Sequence, residues 1–194
     1  MIPLYNDEQA IEKLLSGGVG VMPTDTVYGI VARAADKQAV ARLYALKRRE
    51  HKPGTVIAAS VEQLVELGMS KESLQHAAHL WPDSLSVVVA TSNELTYLDQ
   101  ERGNQPVRIP KNDYLRSLLE RTGPLVTSSA NQPGEPTANT VQEAYDYFQD
   151  SVDFYVDGGT MANRAPSTII SIASDGAITV LRDGAVKIIP SSVA

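Results

Sequence analysis

The chain contains no cysteine. That excludes disulfides, thiolate metal sites and cysteine nucleophiles, and it fits a cytosolic protein. No apolar run approaches the roughly 20 residues that a transmembrane helix needs. The first ten residues, MIPLYNDEQA, lack the basic start and apolar block of a signal peptide. The expectation is a cytoplasmic protein with no membrane partner. Positive charge is also short: 17 basic residues stand against 23 acidic ones, a net charge of −6. A protein that binds long nucleic acid over its whole surface should be basic. Two nucleotide-binding signatures are missing, Gly-x-x-x-x-Gly-Lys-Ser/Thr and Gly-x-Gly-x-x-Gly. No Gly-x-Ser-x-Gly elbow surrounds Ser128 or Ser129, so a serine hydrolase is not expected. No two histidines have a zinc spacing supported by carboxylates, and no structural metal is expected. His51 remains a candidate base, whereas His76 and His79 should sit half-buried on a helix and Trp81 should anchor the core.

Hydrophobic residues make up 43% of the 194-residue chain, enough for one sizeable core, and the expectation is a single domain over residues 1–194. Asn6 with Gln9 reads as a capping box that opens a helix, stopped by Gly17-Gly18. Asp36, Ser60 and Asn112 are further helix starts, and Thr140 with Glu143 is a second capping box, for a helix through Phe148. A further helix should cover 71–79. Strands are expected at 19–22, 55–59, 86–90, 107–109 and 125–128, then at 153–156, 168–172 and 178–181. The last three lack helices between them, so part of the sheet should be antiparallel. The fold class is α/β, a twisted mixed parallel/antiparallel sheet with flanking helices.

Three loops are too polar to be idle connectors. Pro23-Thr24-Asp25-Thr26-Val27-Tyr28-Gly29 follows a strand, where open α/β sheets place ligands; its alternative is an ordinary hydrogen-bonded turn. Thr127-Ser128-Ser129-Ala130-Asn131-Gln132-Pro133-Gly134 follows another strand. Ala165-Pro166-Ser167-Thr168 enters a third. Inside the acidic chain, Lys47-Arg48-Arg49-Glu50-His51-Lys52 carries a formal +3. It is either a solvated helix end or the basic patch that meets an anion.

With Leu46-Lys47-Arg48-Arg49, Leu80-Trp81-Pro82, Val107-Arg108-Ile109-Pro110, Ser129-Ala130-Asn131, Pro166-Ser167-Thr168 and Leu181-Arg182-Asp183-Gly184 in this order behind the first loop, the chain resembles the YrdC/Sua5 family over nearly its whole length. Its length is similar to the short TsaC-like form. The resemblance implies a YrdC-like sheet around a deep basic cavity. It also implies a threonylcarbamoyl-AMP synthase, which joins L-threonine, bicarbonate and ATP, with Mg2+, for a tRNA threonylcarbamoyl-transferase complex that modifies position 37. By the same resemblance, Lys47 and Arg49 are the catalytic pair on the ATP phosphates. Asn131, Asn139 and Arg182 join them at the nucleotide, and Thr24, Arg108, Ser129 and Ser167 surround threonine. No metal-ligating side chain is implied. The turn after Lys47-x-Arg49 is one residue short of the family's usual length, with Gly54-Thr55 in place of an apolar pair, and Asp83-Ser84 replaces a usual Gly-Pro. Other readings are an RNA-binding YrdC-like module, with weak RNA affinity, a YciO-like paralogue, or a carbamoyl-phosphate-using relative like HypF. Val107-Arg108-Ile109 between two prolines leaves Arg108 either in a cavity or on a solvated edge strand.

Overall fold

The computed structural model describes residues 2–48 and 51–188. The capping residues act as the sequence predicts, because each works within one turn of chain. Asn6 and Gln9 close a reciprocal box at the start of α1 (Asp7–Leu15), and Asp36 accepts from two backbone amides of α2 (Lys37–Leu46). Ser60, Ser70 and Asn112 cap α3 (Val61–Leu67), α4 (Lys71–Ala77) and α6 (Asp113–Thr122). Between the last two lies the short α5 (Thr96–Asp99), which has no clear sequence signal. Thr140 caps α7 (Val141–Phe148), but its box is incomplete: the Glu143 carboxylate takes the amide of Asn139 instead.

The strands are β1 (Gly20–Pro23), β2 (Tyr28–Arg33), β3 (Thr55–Ile57), β4 (Leu85–Ala90) and β5 (Asn104–Arg108). They continue with β6 (Leu125–Ser129), β7 (Phe154–Tyr155), β8 (Thr168–Ile172) and β9 (Ile178–Arg182). They form one mixed sheet in the order β7-β1-β2-β6-β3-β5-β4-β8-β9. Parallel pairs are β1/β7, β3/β5 and β4/β8; the others are antiparallel. The antiparallel β8/β9 pair follows from the missing crossover helix.

Adjacent residues on the central strands enter opposite cores, as the two-residue period of a strand requires. Val21, Ile30, Val56 and Val126 pack with α2 and α7 on one face, and Met22, Val31, Ile57 and Leu125 pack with α1 and α6 on the other. Trp81 is partly buried against the first core, and its indole N–H donates to the Leu85 carbonyl at 2.8 Å. His76 and His79 are exposed rather than half-buried, because the inward face of their helical segment is taken by Leu74 and Ala77.

Candidate active site

Pro23 pairs with Tyr28, so Thr24 to Val27 form the tip of the β1/β2 hairpin. Thr24 Oγ1 donates to the Val27 carbonyl at 2.6 Å and lies 3.3 Å from the amides of Thr26 and Val27. The hydroxyl thus fixes the turn while one side of it faces a cleft. Just behind, the Tyr28 hydroxyl donates to the Gly159 carbonyl at 2.8 Å and accepts from the Gly158 amide at 2.7 Å. Burial, with Asp157 nearby, pushes the Tyr28 phenol above its ordinary pKa, so it remains a neutral tie between hairpin and the 157–159 loop.

The cleft is partly open to solvent and lined by polar side chains. Its walls include Thr24, Arg108, Ser129, Ser167 and Arg182, drawn from five separate segments of the chain. Arg108 is 2% exposed. The solvated edge strand is therefore excluded: β5 lies inside the sheet, between β3 and β4. Pro106 is tolerated there because its strand partner is Val88 alone, β3 pairing only from Val107 onward. Arg108 Nη2 donates to Asp25 Oδ1 at 2.7 Å and Nη1 to Ser86 Oγ at 3.3 Å, while the buried Nε has no hydrogen-bond partner. Ser86 Oγ lies 2.9 Å from Ser167 Oγ. Arg182 closes the chain of contacts, with Nη2 2.6 Å from the Ser167 carbonyl and 3.0 Å from its hydroxyl.

Lys47 ends α2, but it is not a solvated helix end: it is 4% exposed. Its Nζ lies 2.8 Å from the Ser129 carbonyl and 2.9 Å from Asn131 Oδ1, and also donates to the Asn131 carbonyl. Ser129 Oγ donates to Asn131 Oδ1 at 2.7 Å, so one ammonium organises the whole Ser129–Asn131 turn. Arg49 lies outside the described residues. Lys47, Asn131 and Asn139 are not among the residues that line the cleft, and the Asn139 side-chain amide lies 3.3 Å from the Glu143 carboxylate. Among the described residues no three His, Cys, Asp or Glu side chains stand together as metal ligands.

Sequence reasoning missed the second layer of this site. Gly54 is held at both of its backbone groups, its amide by the Tyr44 hydroxyl at 3.2 Å and its carbonyl by the Gln105 side chain. A Cβ there would come within 2.7 Å of the Thr127 carbonyl oxygen. That close approach is why glycine stands in the turn, which puts Pro53 and Thr55 in the cleft wall. Ser86 has one available signal: a lone hydroxyl in the apolar run of β4, which is 0% exposed.

Two arginines and several hydroxyl groups converge on a cleft in a mixed α/β sheet, a set of donors that suits small anionic ligands. The Sua5/YciO/YrdC family model, described as "Telomere recombination", matches residues 12–184, and the chain belongs to this family. A Marinobacter nauticus protein named threonylcarbamoyl-AMP synthase is 31% identical over 175 residues, covering 85% of this chain and 90% of that protein. The structure of P. abyssi Sua5 complexed with L-threonine superposes with a TM-score of 0.81 at 28% identity, covering 92% of this chain. The chain spans about half of that Sua5, 54% of its length. E. coli YciO shares the fold, with a TM-score of 0.77 at 24% identity over 95% of this chain and 93% of that one. No helix among the described residues is long and apolar enough to cross a membrane.

Proposed function

We propose that this chain is a threonylcarbamoyl-AMP synthase, a transferase of the nucleotidyl type. L-Threonine, bicarbonate and ATP give threonylcarbamoyl-AMP and pyrophosphate. The observation that carries the reading is the meeting of Thr24, Arg108, Ser129, Ser167 and Arg182 in one cleft, beside a turn organised by Lys47. The synthase name of the Marinobacter relative and the L-threonine complex of P. abyssi Sua5 support it.

Chemistry assigns the parts. The threonine amine adds to the carbon of bicarbonate-derived CO2 and loses a proton, leaving an N-carboxylate. An oxygen of that carboxylate attacks the α-phosphorus of ATP, and the bond from that phosphorus to the bridging oxygen breaks to release pyrophosphate. Both reactants are anions, so fixed cations on the cleft wall lower the barrier. Arg108 suits the threonine carboxylate, because a planar guanidinium can bond both oxygens. Thr24, Ser129 and Ser167 offer hydroxyl partners to the substrate side chain and the carbamate. Lys47, Arg49 and Arg182 offer positive charge to the phosphates, and Asn131 offers its side chain to the nucleotide. Mg2+ bound with ATP would supply further positive charge at the phosphates, and no side chain among the described residues is assigned to hold it. The product goes to a transferase complex that modifies tRNA; the net charge of −6 disfavours strong RNA binding by the chain itself.

The test is pyrophosphate release from ATP, with threonine and bicarbonate each present or withheld, and the product identified by mass. Release requiring both substrates is expected. Release that ignores threonine ends the proposal.

A further inference from the structure

Asp25 lies in the first polar loop, but the function above gives it no task. Its side chain is 4% exposed, and that of Arg108 is 3% exposed. Asp25 borders an adjoining cleft with Ser84 and Arg164 rather than the one that Arg108 lines. Both carboxylate oxygens are occupied: Oδ1 by Arg108 at 2.7 Å and Oδ2 by the Ser84 hydroxyl at 3.3 Å. A buried ion pair is weak support for stability, since desolvating two charges offsets much of their attraction. It does fix geometry. An arginine has a long, rotamer-rich side chain, and the entropy of ordering it is lost at binding unless the fold has already done so. Ser86, 0% exposed, takes the other terminal nitrogen and passes the order on to Ser167. Held from two sides, the guanidinium keeps its buried Nε without a protein partner.

We infer that Asp25 and Ser86 are positioning residues, which lock the Arg108 guanidinium before the substrate carboxylate arrives. Neither needs to touch substrate. Loss of either loosens the arginine without removing it, so the effect falls on recognition of the carboxylate and spares the nucleotide. The inference rests on the reading of Arg108 as the carboxylate site.

Pyrophosphate release by Asp25→Asn, Ser86→Ala and Arg108→Gln is measured over full titrations of threonine and of ATP, with melting curves for each protein. Asp25→Asn keeps the shape and an acceptor oxygen. The expected result is a threonine KM raised about tenfold by Asp25→Asn and about threefold by Ser86→Ala, with the ATP KM unchanged within about twofold. In the double variant Asp25→Asn/Arg108→Gln, the Asp25 change should add less than about twofold to the effect of Arg108→Gln, because residues acting through one contact are not additive. Unchanged threonine KM in both Asp25→Asn and Ser86→Ala overturns the inference. So does a parallel rise of both KM values with a fallen melting temperature, which marks a merely structural role. Should Asp25→Asn not fold, Ser86→Ala decides by the same criteria. If Arg108→Gln itself leaves the threonine KM unchanged, the carboxylate reading of Arg108 fails, and with it the basis of the inference. If only Arg108→Gln raises it, that reading stands and the positioning role alone fails.

Discussion

Replacing Lys47 by Met keeps most of the stem and removes the ammonium. Three acceptor oxygens each lose one donor, the carbonyls of Ser129 and Asn131 and the Asn131 side chain; the Ser129 carbonyl keeps the Asn131 amide and Asn131 Oδ1 keeps the Ser129 hydroxyl. A hydrogen bond to a charged group contributes about 1.5–3 kcal/mol net. The three do not sum, because a turn beside an open cleft can admit water and the desolvation of the ammonium is recovered. A total of about 2–4 kcal/mol is expected, or roughly 4–16 °C in melting temperature for a chain of this size. The same change removes the cation proposed for the ATP phosphates, which should slow pyrophosphate release by about 30- to 1,000-fold. Two readings therefore move together, and a third separates them. ATP binding raises the melting temperature of the native protein by mass action, and the variant should gain much less at the same nucleotide concentration. Thermal scans with and without ATP, beside the release assay, test all three. A variant that melts like the native protein and gains the same ATP shift refutes both the packing and the phosphate arguments.

Threonine should be turned over at least about 100-fold faster than valine at low concentration, because a cleft of hydroxyls penalises a ligand that leaves them unpaired; equal kcat/KM for the two refutes the assignment of Thr24, Ser129 and Ser167. Arg108→Lys should weaken threonine binding in calorimetry while sparing an ATP analogue, and loss of nucleotide affinity alone would reassign the arginine to the phosphates. Gly54→Ala places a methyl 2.7 Å from the Thr127 carbonyl oxygen and 2.9 Å from Val126 Cγ2; a loss of about 1–3 kcal/mol in urea melts is expected, and none would show that the turn can move aside. The phenols of Tyr28, Tyr97 and Tyr155 are pushed above the ordinary 10.0, chiefly by burial. The unfolded chain ionises them first, so stability is intact below about pH 10 and falls above it; urea midpoints that do not drop between about pH 8.5 and about pH 11 contradict this.

Legibility in the sequence follows the range of the interaction. Helix starts at Asn6, Asp36, Ser60, Asn112 and Thr140 are readable because a cap bonds within three residues. β2 is absent from the strands that the sequence predicts. It begins with Tyr28-Gly29, the last two residues of the first polar loop. In the sheet the glycine is required: a Cβ would lie 2.5 Å from Thr127 Oγ1 of the neighbouring strand. The motif loops are visible as polar, but not what they touch. Asp25 meets Arg108 across 83 positions and Lys47 meets Asn131 across 84, and no local pattern records such a pairing. The prolines around Arg108 point to an edge strand for a sound reason, and only the short reach of β3 explains why an interior strand accepts one.

The strand order also has a consequence for synthesis. β1 waits for β7, β2 and β3 both wait for β6, and β4 waits for β8. Nearly every pairing that walls the cleft joins distant parts of the chain, a topology of high contact order that folds slowly. While the chain leaves the ribosome, the β1/β2 hairpin must persist with an open edge until β6 is made, and the cleft gains Arg182 only after β9. A nascent chain stopped at any earlier point carries bare strand edges of the kind that template aggregation. The cleft wall is therefore complete only once β9 has joined the sheet.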